Sequence, residues 1–535
     1  MRRWNGWGAI GAAERVPYEA LRLLAAAIGP GRPRANATFE DVVAAVPASR
    51  LDGESGLSTE PADRVRHARG QSLPDWIALR SGRLPWLPDA VARPASEDDV
   101  MAVFAVAQRA DAVVIPYGGG TSVVGGVTLA AGDPLPAITL ATEALAGLQD
   151  LDEESGLATF GAGTLGPDLE AALQPHGLIL GHFPQSWERA TVGGWVAARS
   201  VGQQSIGFGR IDELFAGGRL VAPAGTLEMP PFPASAAGPD LRQLILGSEG
   251  RFGVVTEAIL RTVPRPPREA IPAWFLPDWS RALVAAREMA RSGLPLSMAR
   301  ASNPAETESL LALGGRPGRV RALRAWLRVR GVGPEPSLLL VAASGTEKLV
   351  ELAVREVGSI VRRHGGTRVG GSLGRQWLGN RFRTPNLRDA LWDAGYAIDT
   401  LESAVDWSRI GALAEGVQGA LATGLEAEGE RVHVFGHLSH LYPSGSSLYV
   451  TYVFRLADDP DATRERWRRL KTAASEAIVA GGGTISHQHG VGRDHAPYLA
   501  LEKGPLGMAV LDDVARRFDP DRRMNPGALL EMDAS

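Results

Sequence analysis

The run Ala112-Val113-Val114-Ile115-Pro116-Tyr117 leads straight into Gly118-Gly119-Gly120-Thr121-Ser122-Val123-Val124-Gly125-Gly126, and this junction constrains the fold more than any other stretch. Five glycines around a Thr-Ser pair let consecutive backbone N–H groups turn toward one anion. A pyrophosphate suits such a loop. No Lys-Ser/Thr pair follows the glycines, so it is not a P-loop, and a flexible hairpin is the competing reading. A second pattern, Gly161-Ala162-Gly163-Thr164-Leu165-Gly166, matches the dinucleotide turn GxGxxG between an apparent strand and an apparent helix. The next apolar run ends at His182-Phe183 with no acid before Glu188, so the ribose ligand that a Rossmann turn requires is missing.

From about Val91 to Val263, short β-branched runs alternate with helical stretches such as SEDDVMAVFAVAQRA and LGPDLEAALQP. The Pro-rich segment VPRPPR at 263–268 breaks both periodicities and marks a boundary. Beyond it come longer helical patterns (DWSRALVAAREMARSG, ATRERWRRLKTAASEAIVAGG) and probable strands at SLLLVAAS, RVHVFGHLSH and SLYVTYVF. The expected class is α+β. A leader at 1–83 precedes a nucleotide-type domain at 84–265, a mixed cap domain at 266–480, and a short helical C-terminal segment at 481–535.

Composition removes whole classes of function. With no cysteine, the chain has no disulfide, thiolate zinc site, cysteine nucleophile or cysteinyl-flavin link. A net charge of -4 provides no broad cationic surface for nucleic acid. All but three of the 56 basic residues are arginine, so a single arginine carries little weight by itself. No apolar run approaches the roughly 18 residues of a membrane span, and Met1-Arg2-Arg3-Trp4 lacks the apolar core of a signal peptide. A cytoplasmic protein is expected. Residues 17–28 read as an amphipathic helix serving either as core or as a peripheral membrane contact.

In Ser486-His487-Gln488-His489-Gly490 two histidines stand at i and i+2, which places both imidazoles on one face if the segment is extended. A metal pair, a structural role and acid–base work near neutral pH all remain open. His495 is the one further ligand nearby in sequence, and no metal is expected.

The glycine loop is followed by Ala190-Thr191-Val192-Gly193-Gly194-Trp195, by Gly207-Phe208-Gly209-Arg210-Ile211-Asp212-Glu213, and by Leu246-Gly247-Ser248-Glu249-Gly250-Arg251-Phe252-Gly253-Val254-Val255. In this order and spacing they resemble the PCMH-type FAD-binding domain of the vanillyl-alcohol oxidase family. Arg3-Trp4-Asn5-Gly6-Trp7-Gly8, Arg64 to Leu73, Gly181-His182-Phe183-Pro184-Gln185-Ser186, Leu387-Arg388-Asp389, Thr400-Leu401-Glu402-Ser403 and the histidine segment narrow the resemblance to the alkyldihydroxyacetonephosphate synthase family.

That resemblance implies a noncovalent FAD, since the loop holds neither His nor Cys. The implied cofactor residues are Pro116, Gly118, Gly119, Gly120, Thr121, Ser122, Gly125, Gly126, Ser186, Thr191, Gly193, Gly194, Glu249 and Val255. It implies Tyr449, His487 and His489 as acid–base residues, His182, Arg388 and Thr400 around the substrate phosphate, and Arg300 as a substrate-binding arginine close to the active site. The reaction implied exchanges the acyl ester of acyl-dihydroxyacetone phosphate for a fatty-alcohol ether, as in ether lipid synthesis, through a flavin N5 adduct. Gln488 stands where the animal enzymes carry a middle histidine, and Thr400 replaces a serine. A FAD-dependent D-2-hydroxy-acid dehydrogenase and a non-catalytic flavin-binding protein remain as alternatives. The partners implied are lipid substrates, with no nucleic acid and with a homodimer left open.

Overall fold

The computed structural model describes residues 3–9, 15–129, 135–314 and 316–531. Among these, three main sheets organise the chain. The first has the order Leu57–Ser58, Ala90–Ala92, Ala137–Ala141, Val113–Tyr117, its last three strands parallel. Val113, Val114, Ile115, Ile138 and Leu140 are all buried, as expected of a parallel sheet covered on both faces. The second is antiparallel and five-stranded, in the order Leu148–Asp152, Leu157–Gly161, Val254–Arg261, Phe215–Ala222, Gly225–Met229. The glycine loop leaves the first sheet at Tyr117, and Val254–Arg261 carries Val255 in the second.

An eight-stranded sheet forms the rest. Its central strand His433–Leu441 pairs on one side with Leu296–Ser302 and on the other with Gly445–Arg455, which pairs in turn with Tyr396–Asp406. The helices Trp279–Ala290, Glu347–Arg363, Ile410–Thr423 and Pro460–Ala480 bury their apolar residues with this sheet in the largest core cluster. They cover one face. The opposite face of the central strands borders a cavity.

Two local readings depart from the alternating pattern. LILGHF forms a strand only at Leu178–Ile179, because Gly181 turns the chain with φ of 74°. The C-terminal segment is also more than a tail. Its helix Ala496–Phe518, broken at Gly504 before Pro505, packs Leu499 and Ala515 into the core of the second sheet. The chain then returns to the first sheet, where Met524 bridges Val114 and Asn525 N–H donates to Val114 O at 2.8 Å. Among the described residues no helix is long and apolar enough to cross a membrane.

The Arg3–Gly8 leader is folded in. Asp389 accepts from Trp7 N at 3.1 Å, Gly8 N at 3.2 Å and Arg3 Nη1 at 2.8 Å, and it pairs with buried Arg80. A Cβ on Gly6 would stand 2.1 Å from Asp389 Oδ1, so only glycine permits this docking. Trp7 is buried and reaches the cavity wall.

Candidate active site

A cavity of about 490 Å³ runs between the glycine loop and the large sheet. On the loop side its wall includes Pro116, Gly118, Gly119, Gly120, Thr121, Ser122 and Gly126, facing Ser186, Thr191, Gly193 and Gly194. Backbone forms this wall because side chains are excluded: a Cβ on Gly119 would lie 1.7 Å from Arg189 O. Glu249 closes one end, its carboxylate accepting from Val491 N and from Gly492 N at 2.7 Å. Burial raises the Glu249 carboxyl to about 7. Asn525 Nδ2 donates to Gly126 O and Glu249 O at 2.8 and 2.7 Å, so the returning C-terminal chain braces the loop.

The opposite wall is a sheet face. Register puts Tyr449 beside Glu402 on one neighbouring strand and His437 on the other, with Thr400 opposite Thr451. Period-two alternation therefore turns Thr400, Tyr449, Thr451, His437 and Ser439 to one side, and all five line the cavity. The His437 ring stacks on Tyr449 with centroids 5.0 Å apart, and the His489 ring meets Tyr449 edge-on at 5.6 Å. Burial raises the Tyr449 hydroxyl and lowers the His489 and His437 imidazoles. A protonated phenol thus stands between two neutral imidazoles, an acid beside bases. Arg300 Nη2 donates to Glu306 Oε1 at 2.7 Å, with His437 Nδ1 2.9 Å from the same oxygen. Burial opposes the charge on Glu306, but Arg300 and His437 outweigh it and hold the carboxyl well below its ordinary range.

Arg388 occupies the helix Leu387–Asp393 at the cavity edge. Its guanidinium lies over the Trp76 ring, 4.6 Å from the centroid, and Nη1 donates to Gln71 O. Asp399 Oδ1 is 4.0 Å from Nη2, yet Nε and Nη2 have no hydrogen-bond partner among the described residues. A largely buried cation with unused donors is a site for an anion. Leu23 and Leu24 of the helix Tyr18–Ile28, with Leu310, Leu313, Leu391 and Val453, extend the same cavity as an apolar arm.

Residues 88–229 match the FAD binding domain family and residues 265–529 match the C-terminal domain of FAD linked oxidases. Alkyldihydroxyacetonephosphate synthase of Trypanosoma brucei brucei is 29% identical over 87% of this chain and 77% of its own length. The Dictyostelium discoideum protein of that name is 27% identical over 89% and 78%. A solved alkyldihydroxyacetonephosphate synthase structure superposes with a TM-score of 0.82 at 24% identity, covering 98% of both chains, and shows the same fold. The chain has the two-domain make-up of the PCMH-type FAD-binding flavoenzymes. Within them it is alkyldihydroxyacetonephosphate synthase-like, and FAD is its cofactor.

The wall fits such a dinucleotide. Gln203 Oε1 and Trp195 Nε1 belong to it and are buried without hydrogen-bond partners among the described residues, and bound FAD would meet them, the glycine loop and Thr191. The residues expected at the cofactor line this wall except Gly125, whose positive φ of 71° shapes the loop just outside it.

Among the expected substrate and acid–base residues, Arg300, Arg388, Thr400, Tyr449 and His489 share the cavity wall. Two do not. His182 lies one layer behind it, Nε2 2.7 Å from the Oγ of wall residue Ser200 and its ring against Trp195. Burial lowers its imidazole to about 3, so it stays neutral. His487 and His489 also fail to share a face, because residues 487–489 form bends rather than a strand. His489 turns to Tyr449, while His487 Nε2 sits 2.6 Å from Tyr442 Oη. Sequence reading missed His437, Ser439 and His440 as wall residues; the alternation in HVFGHLSH marks His437 and Ser439 as one-sided, whereas His440 joins the wall through the register shift between Leu438 and Leu441.

Proposed function

We propose that the protein replaces the acyl ester of an acyl-dihydroxyacetone phosphate with a fatty-alcohol ether. The observation that carries this reading is Arg388, with its two unused guanidinium nitrogens beside the Tyr449–His489 pair. The glycine loop, Thr191 and Glu249 would hold FAD, which would supply the flavin chemistry for an exchange without net oxidation. Arg388 holds the phosphate, its planar fork matching two oxygens of a dianion. His489, kept neutral by burial, accepts a proton from carbon or from the incoming alcohol, and Tyr449 holds a proton for the departing group. The apolar arm excludes water from the alkyl chains. With no His or Cys in the glycine loop, FAD is held noncovalently and leaves with acid precipitation of the protein.

A dehydrogenase acting on 2-hydroxy acids is the second reading, since D-lactate dehydrogenase [cytochrome] of Arabidopsis thaliana is 24% identical over 89% of this chain and 78% of its own. Arg388 would suit a carboxylate too, but a small hydroxy acid has no use for the apolar arm. Incubation with acyl-dihydroxyacetone phosphate and labelled hexadecanol should yield labelled ether and one free fatty acid per ether. Dye reduction by D-lactate or glycolate without ether formation would decide for the dehydrogenase.

A further inference from the structure

Beside the Tyr449 face, three ligand-type side chains arrive from separate segments. Glu402 comes from the strand Tyr396–Asp406, His440 from His433–Leu441, and His487 from the loop after the helix Pro460–Ala480. One donor atom of each lies within 4.8 Å of the others. His487 Nδ1 is 3.3 Å and His440 Nε2 3.9 Å from Glu402 Oε1. We propose that Glu402, His440 and His487 form a site for a divalent cation of the zinc type.

Orientation supports this. A histidine that ligates a metal through one nitrogen holds its ring with the other, and both rings are held in that way. His440 Nδ1 lies 3.0 Å from Ser205 Oγ, and His487 Nε2 lies 2.6 Å from Tyr442 Oη. The nitrogens left, His440 Nε2 and His487 Nδ1, are the two that converge on the carboxylate. His487 Nδ1 and Glu402 Oε2 are buried without a well-formed hydrogen bond among the described residues, while Ser439 Oγ fixes the carboxylate through Oε1. A tetrahedral zinc with bonds of about 2.0–2.2 Å separates its ligand atoms by roughly 3.3–3.6 Å, so shifts of about an ångström or less close the set.

Two imidazoles and one carboxylate favour zinc, cobalt or nickel over magnesium or calcium. Ser439 and His440 are part of the cavity wall, so water from the cavity supplies a fourth, oxygen ligand. His489 stays outside the set because its ring faces Tyr449. The histidine pair alone falls short of a site because the missing ligands come from two strands distant in sequence.

The test uses FAD-loaded full-length protein purified without a metal-affinity tag, dialysed against chelator, given one equivalent of Zn²⁺ and desalted. The wild type and His489→Gln should each retain roughly one zinc per chain, and His440→Gln and Glu402→Gln should bind at least about tenfold more weakly. Flavin content and melting temperature report whether each variant folds. Should either ligand variant fail to fold, X-ray absorption at the zinc edge of the wild type decides: two imidazoles in the first shell support the site, and a shell without imidazole overturns it. The proposal is also overturned if the wild type retains no zinc or if folded His440→Gln binds it as tightly. These readouts are independent of whether the enzyme makes an ether.

Discussion

Replacing Arg388 by lysine keeps the positive charge and removes the planar fork. In the wild type Nη1 is committed to Gln71 O, which leaves Nε and Nη2 for the ligand. A lysine ammonium at this place offers a point charge and is drawn to the same carbonyl and to Asp399. The expected loss is at least one charge-assisted hydrogen bond, about 1.5–3 kcal/mol. That corresponds to about 10- to 150-fold in kcat/KM for the phosphorylated substrate. Initial rates of fatty-acid release across substrate concentration measure it, and the inhibition constant of inorganic phosphate should rise in parallel. Flavin content should stay at the wild-type level. A change in both constants smaller than about threefold, with the variant folded, would refute the assignment of phosphate to Arg388.

Tyr449→Phe, which removes one hydroxyl at nearly constant volume, should lower kcat about a hundredfold or more with little change in melting temperature; near-normal turnover would make the ring structural. Asp389→Ala removes one of the two carboxylates on buried Arg80, leaving Asp393, and releases the Arg3–Gly8 leader, so a loss of about 3 kcal/mol in denaturant unfolding is expected. Glu249 is raised from 4.5 to about 7, so its contribution to stability is present below pH 4.5 and is lost as pH rises through about 7. Relative to Glu249→Gln, the wild type should therefore lose up to about 3 kcal/mol across that window, read from urea unfolding at each pH. Parallel pH profiles would show that Glu249 titrates normally.

Local chemistry made the loop side of the site readable. Glycine is the residue type that lets backbone approach backbone, as at Gly119 against Arg189, and such requirements leave a mark in the sequence itself. The sheet side was partly readable. Tyr449, Thr400, His489 and Arg388 were anticipated through family likeness, whereas His437 and His440 were not, because the pairing that brings His437 to Tyr449 and the register shift that turns His440 to the wall depend on a partner strand whose register no local pattern states. His182 and His487 show the complementary failure. Each stands next to wall residues in sequence, yet a positive-φ glycine in one case and a run of bends in the other turns the side chain away. The leader was legible as a motif but not as a structure, since its meaning depends on Asp389 lying far along the chain.

The brace that Asn525 forms on Gly126 spans 399 positions. During synthesis the anion loop therefore leaves the ribosome long before its support exists, and every intervening strand must be made first. Nascent chains should fail to retain flavin until the segment around Asn525 has been released, making cofactor capture late relative to synthesis of the loop. Chains cut just before Met524 would keep the glycines and still lose the grip. Because this closure joins segments 399 positions apart, its loop entropy weighs on the folding rate more than on the finished stability, and cells overproducing the protein should accumulate colourless chains whenever riboflavin supply or temperature lets that step lag.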